Sequence, residues 1–320
     1  MEYGAKSLVI GLDLGGTNSV FGIIDREGKV LTTTSIKTQG YQNVESYVED
    51  SVKSVMRIVE QVGGMEKIHA MGIGAPGGNY YNGTIEQAAN LAWAKGVVPL
   101  ADMFASRLNI PVAITNDANA AAVGEMTYGA ARGMKNFIMI TLGTGVGSGI
   151  VIDGKVVYGH DGFAGELGHT NIVRHNGRVC GCGRQGCLEA YCSAIGVART
   201  AREWLEMSDE PSLLRHVEKI TSKDVYEAAK EGDKLALKVF DYTGTLLGTA
   251  FSDFIAFSAP EAIVLFGGLA RSKEFLLEPM QKAMNENVLA IWKDKVSIVF
   301  SSLKESDAAI LGASALAWEL

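Results

Sequence analysis

The sequence predicts an α/β protein of two lobes that are built on one plan. Residues 10–25 (IGLDLGGTNSVFGIID) and 140–154 (ITLGTGVGSGIVIDG) both have the pattern of an apolar strand, a glycine-rich turn and a second strand. The chain of 320 residues is long enough for two hydrophobic cores. Two glycine hairpins that each open a lobe indicate a duplicated fold with a ligand held between the lobes.

The first lobe begins with apolar runs that short turns separate, a pattern that predicts a β-meander at residues 8–12, 20–24 and 30–35. A helix is predicted over 44–62, because valines recur there every three or four positions. Asn43 can cap this helix and Gly63 can end it. Two strands and an alanine-rich helix complete the unit, at residues 70–75, 112–115 and 117–128.

The second lobe repeats this opening with strands at 137–142 and 150–152, followed by a tight turn at Asp153-Gly154. A further apolar strand, 262–265, leads into a second pair of glycines and then a helical stretch. The tail at 307–319 has a helical pattern, and we expect it to return to the first lobe.

Composition and charge exclude several classes of protein. The chain has 38 glycines, only six prolines and 47% apolar residues, which is not the composition of a disordered chain. The net charge of −7 and the absence of a basic run argue against nucleic-acid binding. No segment has the length and apolarity of a membrane span, and the N-terminus does not resemble a signal peptide, so a cytoplasmic protein is expected.

Each glycine turn is a candidate phosphate site. In the first, Gly15 and Gly16 allow backbone N–H groups to approach a phosphate, Thr17 adds a hydroxyl, and Asp13 could hold magnesium. Residues 141–145 (TLGTG) repeat this arrangement in the second lobe. An ordinary hairpin turn is the alternative for either loop alone, and the repetition favours phosphate binding.

All four cysteines lie within 13 residues, which favours a metal site over disulfides that join distant segments. Cys180, Cys182 and Cys187 with His169 would form a tetrahedral Cys₃His zinc site of the closed, structural kind. His175 is an alternative fourth ligand, and a set of unliganded thiols is another possibility. Cys192 lies beyond this group and is expected to be a buried thiol.

Several polar residues are candidates for substrate chemistry. Asn116-Asp117 follows a strand and opens a helix, so the pair is either a helix N-cap without a further function or supplies, in Asp117, a base that takes a proton from an attacking hydroxyl. Glu166, His169 and Glu189 flank the cysteines and could bind a polyhydroxylated ligand. The alternative for these three is solvated loop charge.

Together these residues resemble the ROK family (repressors, open reading frames and kinases), over essentially the whole chain. DLGGTN at 13–18 and LGTGVGSG at 142–149 are similar to its two phosphate motifs, and LFGG at 265–268 is similar to its adenosine motif. CGCGRQGCLE at 180–189 matches its zinc motif CxCGxxGCxE, and ELGH at 166–169 matches its ExGH element.

The resemblance implies the two-lobed actin-like and hexokinase-like ATPase fold, with duplicated RNase H-like domains. It implies a small lobe of residues 1–118 plus a C-terminal helix at 306–320, and a large lobe of residues 119–305 with the zinc motif and the adenosine site. It also implies a homo-oligomer, a dimer or tetramer, whereas composition and charge are what predict a cytoplasmic protein that binds neither nucleic acid nor membrane.

The implied activity is transfer of the γ-phosphoryl group of Mg·ATP to the 6-hydroxyl of a hexose, with Asp117 as the base. The implied sugar ligands are Gly77, Gly78, Asn90, Asn116, Asp117, Glu166, His169 and Glu189. The implied nucleotide ligands, with ATP and Mg²⁺ as cofactors, are Asp13, Gly15, Gly16, Thr17, Asn18, Thr141, Gly143, Thr144, Gly145, Gly267 and Gly268. Structural Zn²⁺ would be bound by His169, Cys180, Cys182 and Cys187, and the second ring nitrogen of His169 would then contact the sugar.

Glucose is the expected substrate, and kinases of N-acetylglucosamine, N-acetylmannosamine, mannose or fructose remain alternatives with the same motifs. A sugar-responsive repressor would carry an N-terminal helix-turn-helix module, for which we expect no room before Asp13. A sugar sensor without catalysis is a more remote alternative, since Asp13, Asp117 and both glycine loops are present.

Overall fold

The structure is a computed structural model that describes residues 6–88 and 91–320, apart from the side chains at 305 and 306. The chain divides into two compact units. The first unit contains Met1–Met134, Gly149–Gly165 and Ser302–Leu320, and the second contains Lys135–Ser148 and Glu166–Ser301.

The first unit is built around a five-stranded sheet. Its strands are β1 (Leu8–Leu14), β2 (Asn18–Asp25), β3 (Val30–Lys37), β4 (Ile68–Gly74) and, later in the chain, β8 (Val112–Thr115). Their order is β3-β2-β1-β4-β8, in which β1, β2 and β3 form an antiparallel meander and β4 and β8 run parallel to β1. A small antiparallel sheet accompanies it, formed by β5 (Gly78–Asn79), β6 (Thr84–Glu86) and β7 (Val97–Val98).

The helices of the first unit are α1 (Val44–Gln61), α2 (Leu100–Leu108), α3 (Asp117–Tyr128) and, near the end of the chain, α9 (Glu305–Ala317). The predicted helix at 44–62 is confirmed, and Asn43 caps it by accepting a hydrogen bond from the Ser46 N–H at 2.9 Å. Helix α1 buries its apolar face because the valines and an isoleucine of that face share one side of the helix.

A second five-stranded sheet has the same strand order as the first. Its strands are β9 (Phe137–Leu142), β10 (Val146–Ile152), β11 (Lys155–Val156), β12 (Ala262–Phe266) and β13 (Ser297–Phe300), in the order β11-β10-β9-β12-β13. Strand β12 runs parallel to β9 and β13. In both sheets the third, second, first, fourth and fifth strands are neighbours in that order, so the predicted duplication is confirmed.

The helices that follow β11 are α4 (Glu189–Cys192), α5 (Ala194–Met207), α6 (Ser222–Lys230), α7 (Lys234–Ser258) and α8 (Lys273–Asn287). They bury a core with β9 and β12 in which Phe240, Leu247 and Phe251 of α7 are fully shielded from solvent. Among the residues described, no helix combines the length and the apolarity that a membrane crossing needs.

The division into units differs from the predicted boundary at residue 118. Helix α3 belongs entirely to the first unit, as do residues 149–165. The physical reason is the packing of α9, whose Gly312 lies so close to Gly124 of α3 that a Cβ on Gly124 would be 2.8 Å from the Gly312 Cα. Helix α9 also lies against β4, where a Cβ on Gly72 would be 1.9 Å from the Ala313 carbonyl oxygen.

Candidate active site

Two carboxylates of the first unit lie at one edge of its sheet. Asp13 is paired in register with Gly74 of the parallel strand β4, and Gly74 is paired with Thr115 at the end of β8. Asp117 opens α3 two residues later. Because the carboxyl ends of parallel strands meet at one edge, the backbone places both side chains in the same region.

The electrostatics of these two carboxylates are linked. Burial, with a smaller contribution from the negative charge of Asp117, raises the pKa of Asp13 to about 6. Desolvation by the surrounding protein also raises the pKa of Asp117, although its side chain keeps contact with solvent. Such an acidic pair can hold a divalent cation or accept a proton, and perturbed carboxylates of this kind are concentrated at functional sites.

The first glycine loop, residues 15–18, connects β1 to β2 beside Asp13. It is a tight turn in which the Gly15 N–H donates to the Asn18 carbonyl oxygen at 3.1 Å. Thr17 and Asn18 are exposed, and Gly16 is half-buried. The Thr17 hydroxyl and the loop backbone are therefore accessible to a phosphate group from solvent.

Asn116 is the N-cap of α3, which was one of the two interpretations of Asn116-Asp117. Its side-chain oxygen accepts a hydrogen bond from the Ala118 N–H at 2.8 Å, and the Asp117 carboxylate accepts from the same N–H at 2.8 Å. This cap fixes the start of α3, so it orients Asp117 whether or not Asn116 also contacts a ligand.

Gly77 and Gly78 are required by packing. Gly77 has a φ of +65°, and a Cβ there would lie 2.2 Å from the Glu86 carbonyl oxygen. A Cβ on Gly78 would lie 2.3 Å from the Thr115 carbonyl oxygen, so this turn rests on the strand that leads to Asp117. The predicted sugar ligand Asn90 lies outside the described residues.

The second glycine loop, residues 142–146, connects β9 to β10 in the second unit. The Gly143 N–H donates to the Gly145 carbonyl oxygen at 3.0 Å, and the Val146 N–H donates to the Glu189 Oε2 at 3.0 Å. A Cβ on Gly145 would meet that carboxylate oxygen at 2.4 Å, whereas a Cβ on Gly143 would meet no atom within 4 Å. Gly143 is thus the open position of this loop and Gly145 is the crowded one.

The other predicted nucleotide ligands of this unit border the same loop. Thr141 accepts a hydrogen bond from the Gly147 N–H through its hydroxyl at 3.1 Å, and Thr144 is exposed. Gly267, with a φ of +105°, lies against β9, since a Cβ there would be 2.6 Å from the Leu142 carbonyl oxygen. Gly268 begins the 3₁₀ turn that follows.

The structure brings His169, Cys180, Cys182 and Cys187 together, with one possible ligand atom from each within 4.8 Å of all the others. The Cys182 and Cys187 sulfurs are 3.8 Å apart, and the Cys180 sulfur is 3.7 Å from the His169 Nδ1. A tetrahedral zinc ion with Zn–S of about 2.3 Å and Zn–N of about 2.0 Å requires about 3.8 Å and 3.6 Å for these separations. These two separations are those that a zinc ion needs, and the exposed His175 is not part of the group.

The two ring nitrogens of His169 face different groups. Its Nδ1 faces the cysteines, and its Nε2 lies 4.0 Å from the Glu166 carboxylate. Glu189 also joins two features, because its Oε1 lies 3.4 Å from the Cys180 sulfur while its Oε2 holds Val146. The cysteine cluster and the second glycine loop are thus connected through one carboxylate.

The sequence did not indicate this supporting role of Glu189, nor that of Ser148, whose hydroxyl accepts from the Leu167 N–H at 3.0 Å. Neither contact has a local sequence signal, since the partners are 43 and 19 residues apart. Cys192 is fully buried, and its thiol faces the Thr243 carbonyl oxygen at 3.8 Å, as predicted for a thiol outside the ligand set.

The chain belongs to the ROK family, which residues 9–319 match. A glucokinase from Thermotoga maritima is 35% identical over 97% of this chain and 97% of its own length. A glucokinase from Halalkalibacterium halodurans is 34% identical over 95% of this chain and 92% of its own.

Solved structures extend the similarity to the fold. A ROK glucokinase from Streptomyces griseus, in complex with glucose and AMPPNP, superposes with a TM-score of 0.79 at 34% identity, over 98% of this chain and 100% of that one. A ROK hexokinase from Thermus thermophilus gives a TM-score of 0.81 at 27% identity, over 98% of each chain. The predicted actin-like and hexokinase-like ATPase fold is confirmed by these neighbours.

Proposed function

We propose that this chain is an ATP-dependent hexokinase whose preferred acceptor is the 6-hydroxyl of glucose. The observation that carries the proposal is the pairing of Asp13 with Asp117 beside the first glycine loop, in a family whose members include the glucokinases named above. Asp13 is half-buried near the end of β1, beside the glycine loop, which suits it to hold a cation. Asp117 opens α3 with its side chain in contact with solvent, which suits it to accept a proton from the substrate.

Asp117 is the proposed base. It would take the proton of the 6-hydroxyl while the sugar oxygen forms a bond to the γ-phosphorus and the bond from that phosphorus to the β–γ bridging oxygen breaks, releasing ADP. Its raised pKa brings its basicity closer to neutrality, which favours proton transfer at physiological pH. The Asn116 cap would keep the carboxylate in position during the transfer.

Asp13 is the carboxylate that we propose binds magnesium. Asp13 would hold the Mg²⁺ of Mg·ATP, which when bound would supply positive charge against the charge that develops on the phosphoryl group. The exposed backbone of residues 15–18 and the open position at Gly143 would take the phosphates, with Thr17 and Thr144 as hydroxyl donors. Gly267 and Gly268 would border the adenosine.

The cysteine cluster is the proposed zinc site, on the strength of its ligand separations. Zinc would supply rigidity and fix the tautomer of His169, leaving the Nε2 side of the ring for a sugar hydroxyl. Glu166 and Glu189, on either side of His169, complete the proposed sugar ligands from this unit, and Gly77, Gly78, Asn90 and Asn116 are those from the other. The proposal includes a cytoplasmic location and a homo-oligomer.

The test is ADP release with Mg·ATP against glucose, mannose, fructose, N-acetylglucosamine and N-acetylmannosamine, with the Asp117→Asn variant as the inactive control. Glucose turnover at least about tenfold above the other sugars, absent from the control, supports the proposal. Preference for an acetylated sugar would keep the mechanism and change the substrate. No turnover by folded, zinc-loaded protein would contradict the kinase proposal and favour a sensor.

A further inference from the structure

One arginine of the second unit, Arg178, bonds to the backbone of two consecutive helices. Its side chain is only 9% exposed. The Nη1 group donates to the Thr200 hydroxyl at 2.9 Å and to the carbonyl oxygens of Ala190 and Gly196 at 3.3 and 3.4 Å. The guanidinium carbon also lies 4.6 Å from the centroid of the Tyr191 ring. A single side chain therefore joins α4 to α5.

The other side of the guanidinium is held by an ion pair. The Nε and Nη2 groups of Arg178 both donate to the Glu203 Oε2, the first at 3.1 Å. Arg199 donates to the other carboxylate oxygen at 2.7 Å. Burial acts to raise the pKa of Glu203, but the hydrogen bonds from the two arginines outweigh it and lower the pKa, so this carboxylate is ionised at neutral pH. Two bonds to one carboxylate fix the plane of the guanidinium, and with it the direction of Nη1.

The backbone of Arg178 is bonded to the same helix and to the cysteine segment. Its N–H donates to the Tyr191 hydroxyl at 2.8 Å, and its carbonyl oxygen accepts from the Gly186 N–H at 2.9 Å. Gly186 precedes Cys187 directly, and Arg178 lies two residues before Cys180. Arg178 thus connects the chain around the cysteine cluster to α4.

Helix α4 bears on the site because it begins at Glu189. The Glu189 Oε2 accepts the Val146 N–H of the second glycine loop at 3.0 Å, and the next residue, Ala190, is one of those that Arg178 binds. The helix has only four residues, and its N-cap, Leu188, makes no side-chain capping bond. So short a helix has little stability of its own, because its first turn costs more conformational entropy than its few hydrogen bonds return. Its position therefore depends on the contacts that neighbouring segments make with it.

We propose that Arg178 is a positioning residue that holds α4 so that Glu189 reaches the second glycine loop. The guanidinium would do so by bonding to the helix backbone on one side and to Glu203 on the other. This inference rests on the proposed function, because it takes the loop at 142–146 as a phosphate contact and Glu189 as a sugar contact. Since Arg178 would act only through Glu189, its loss should weaken the binding of both substrates more than it slows phosphoryl transfer.

The test compares two arginines of the second unit that both bind backbone carbonyl groups. Arg178→Met keeps an unbranched side chain and removes the guanidinium. Arg215→Met is the matched control, because Arg215 instead binds the carbonyl oxygens of Leu205, Ser208 and Glu210, at the end of α5 and beyond it. Arg178→Lys is the conservative variant, which keeps the positive charge and loses the branched set of donors.

The direct measurement is hydrogen exchange of the Val146 amide by NMR in the ligand-free, zinc-loaded protein, because this N–H donates to Glu189. We expect exchange to be about tenfold faster in Arg178→Met, unchanged in Arg215→Met and intermediate in Arg178→Lys. The Ile140 amide of β9 reports the general stability of the unit, so the rate for Val146 should rise more than the rate for Ile140.

Steady-state kinetics and zinc content are measured on the same preparations. In Arg178→Met the KM for glucose and for Mg·ATP should each rise about tenfold, while kcat should fall by less than about threefold. Zinc content should remain at the wild-type value, because all four proposed zinc ligands are retained. General loss of stability would not produce this split between KM and kcat.

An unchanged Val146 rate in folded Arg178→Met overturns the inference, as does equal acceleration at Val146 and Ile140 or an equal effect of Arg215→Met. Loss of zinc from Arg178→Met would also overturn it, because the residue would then act through the metal site. If Arg178→Met does not fold, Arg178→Lys decides by the same criteria. Absence of glucose turnover by the wild type contradicts the proposed function, whereas normal turnover with unchanged KM values in Arg178→Met contradicts this inference alone.

Discussion

The two glycine loops share a local design and differ in what holds them. Both join the first and second strands of a five-stranded sheet with the same strand order. The loop at 15–18 is supported by neutral groups, since the Thr38 N–H donates to the Thr17 carbonyl oxygen and the Trp93 indole N–H donates to the Thr38 carbonyl oxygen. The loop at 142–146 is supported by the Glu189 carboxylate, which also contacts Cys180 of the proposed zinc ligands.

This difference shows how a duplicated unit can acquire two roles. The first loop lies beside the acidic pair Asp13 and Asp117, so a neutral support avoids a third negative charge near groups whose pKa values are already raised. The second loop has a charged support, and its geometry should depend on the cysteine cluster that Glu189 contacts. We therefore expect changes near the first loop to lower the rate of phosphoryl transfer, and changes near the second loop to lower the zinc content.

The largest effect is expected at the acidic pair. Asp117→Asn should lower kcat about 10³-fold, the scale of a lost general base, and change the Kd for glucose only a few-fold because the positioning contacts remain. Steady-state kinetics and calorimetry on the same preparation measure both. Asp253→Asn, at an exposed aspartate of α7, is the control. Near-normal turnover in Asp117→Asn would mean that Asp117 is not the base and that the acidic pair beside the first loop does not carry the chemistry.

The next effect tests the metal dependence of the second loop. Cys182→Ser should abolish zinc binding and raise the Kd for glucose about 10- to 100-fold, because His169 and Glu189 lose a fixed partner. Zinc content by atomic absorption and glucose binding by calorimetry are the measurements. Cys192→Ala removes a thiol outside the ligand set and should retain zinc. Normal glucose binding by a zinc-free variant would show that the cysteine cluster does not affect the sugar ligands.

A smaller effect separates open from crowded positions within the second loop. Gly143→Ala places a methyl group in open space, so the melting temperature should be unchanged while the KM for Mg·ATP rises about tenfold, since the methyl group meets only the ligand. Gly145→Ala should displace Glu189 and raise the KM for both substrates. Thermal melts and initial rates distinguish the two variants, and an unchanged KM for Mg·ATP in Gly143→Ala would argue that phosphate does not approach this loop.

The smallest effect concerns the stability of the ligand-free protein. The pKa of Asp13 is about 6 in the folded chain against 3.8 in the unfolded chain, so the folded state binds more protons between these values. Stability is therefore lost as pH rises from about 4 to about 6, by at most about 3 kcal/mol.

Asp13→Asn should accordingly be more stable than the wild type at pH 7, and the difference should vanish below about pH 4 even though activity is lost. Denaturant unfolding at pH 7 and pH 4 measures this, with the exposed Asp102→Asn as a control. A less stable Asp13→Asn at pH 7 would mean that the charge is favourable where it lies.

Local patterns in the sequence predicted much of the fold. The cap at Asn43 and the valine spacing predicted helix α1. The cysteine spacing predicted three of the four residues of the cysteine cluster, because these three lie close together in the chain. The sequence also favours His169 as the fourth ligand, with His175 as an alternative, and the fold brings His169 into the cluster.

What the sequence could not provide are contacts between segments far apart. Trp93 and Thr38 are 55 residues apart, and Val146 and Glu189 are 43 apart, so neither support of a glycine loop has a periodicity or a motif. The two compact units divide the chain differently from the predicted boundary for the same reason, since the place of α3 depends on the approach of Gly312 to Gly124.

The docking of α9 has a consequence for the order in which the protein is made. The ribosome has delivered every residue of the second unit by Ser301, whereas the first unit still lacks Ser302–Leu320. Strands β1 and β4 emerge early, yet the face that carries Val9 and Ala70 remains uncovered until α9 leaves the exit tunnel. The unit whose synthesis starts first is therefore completed last, and one apolar face of its nascent sheet is exposed to aggregation until then.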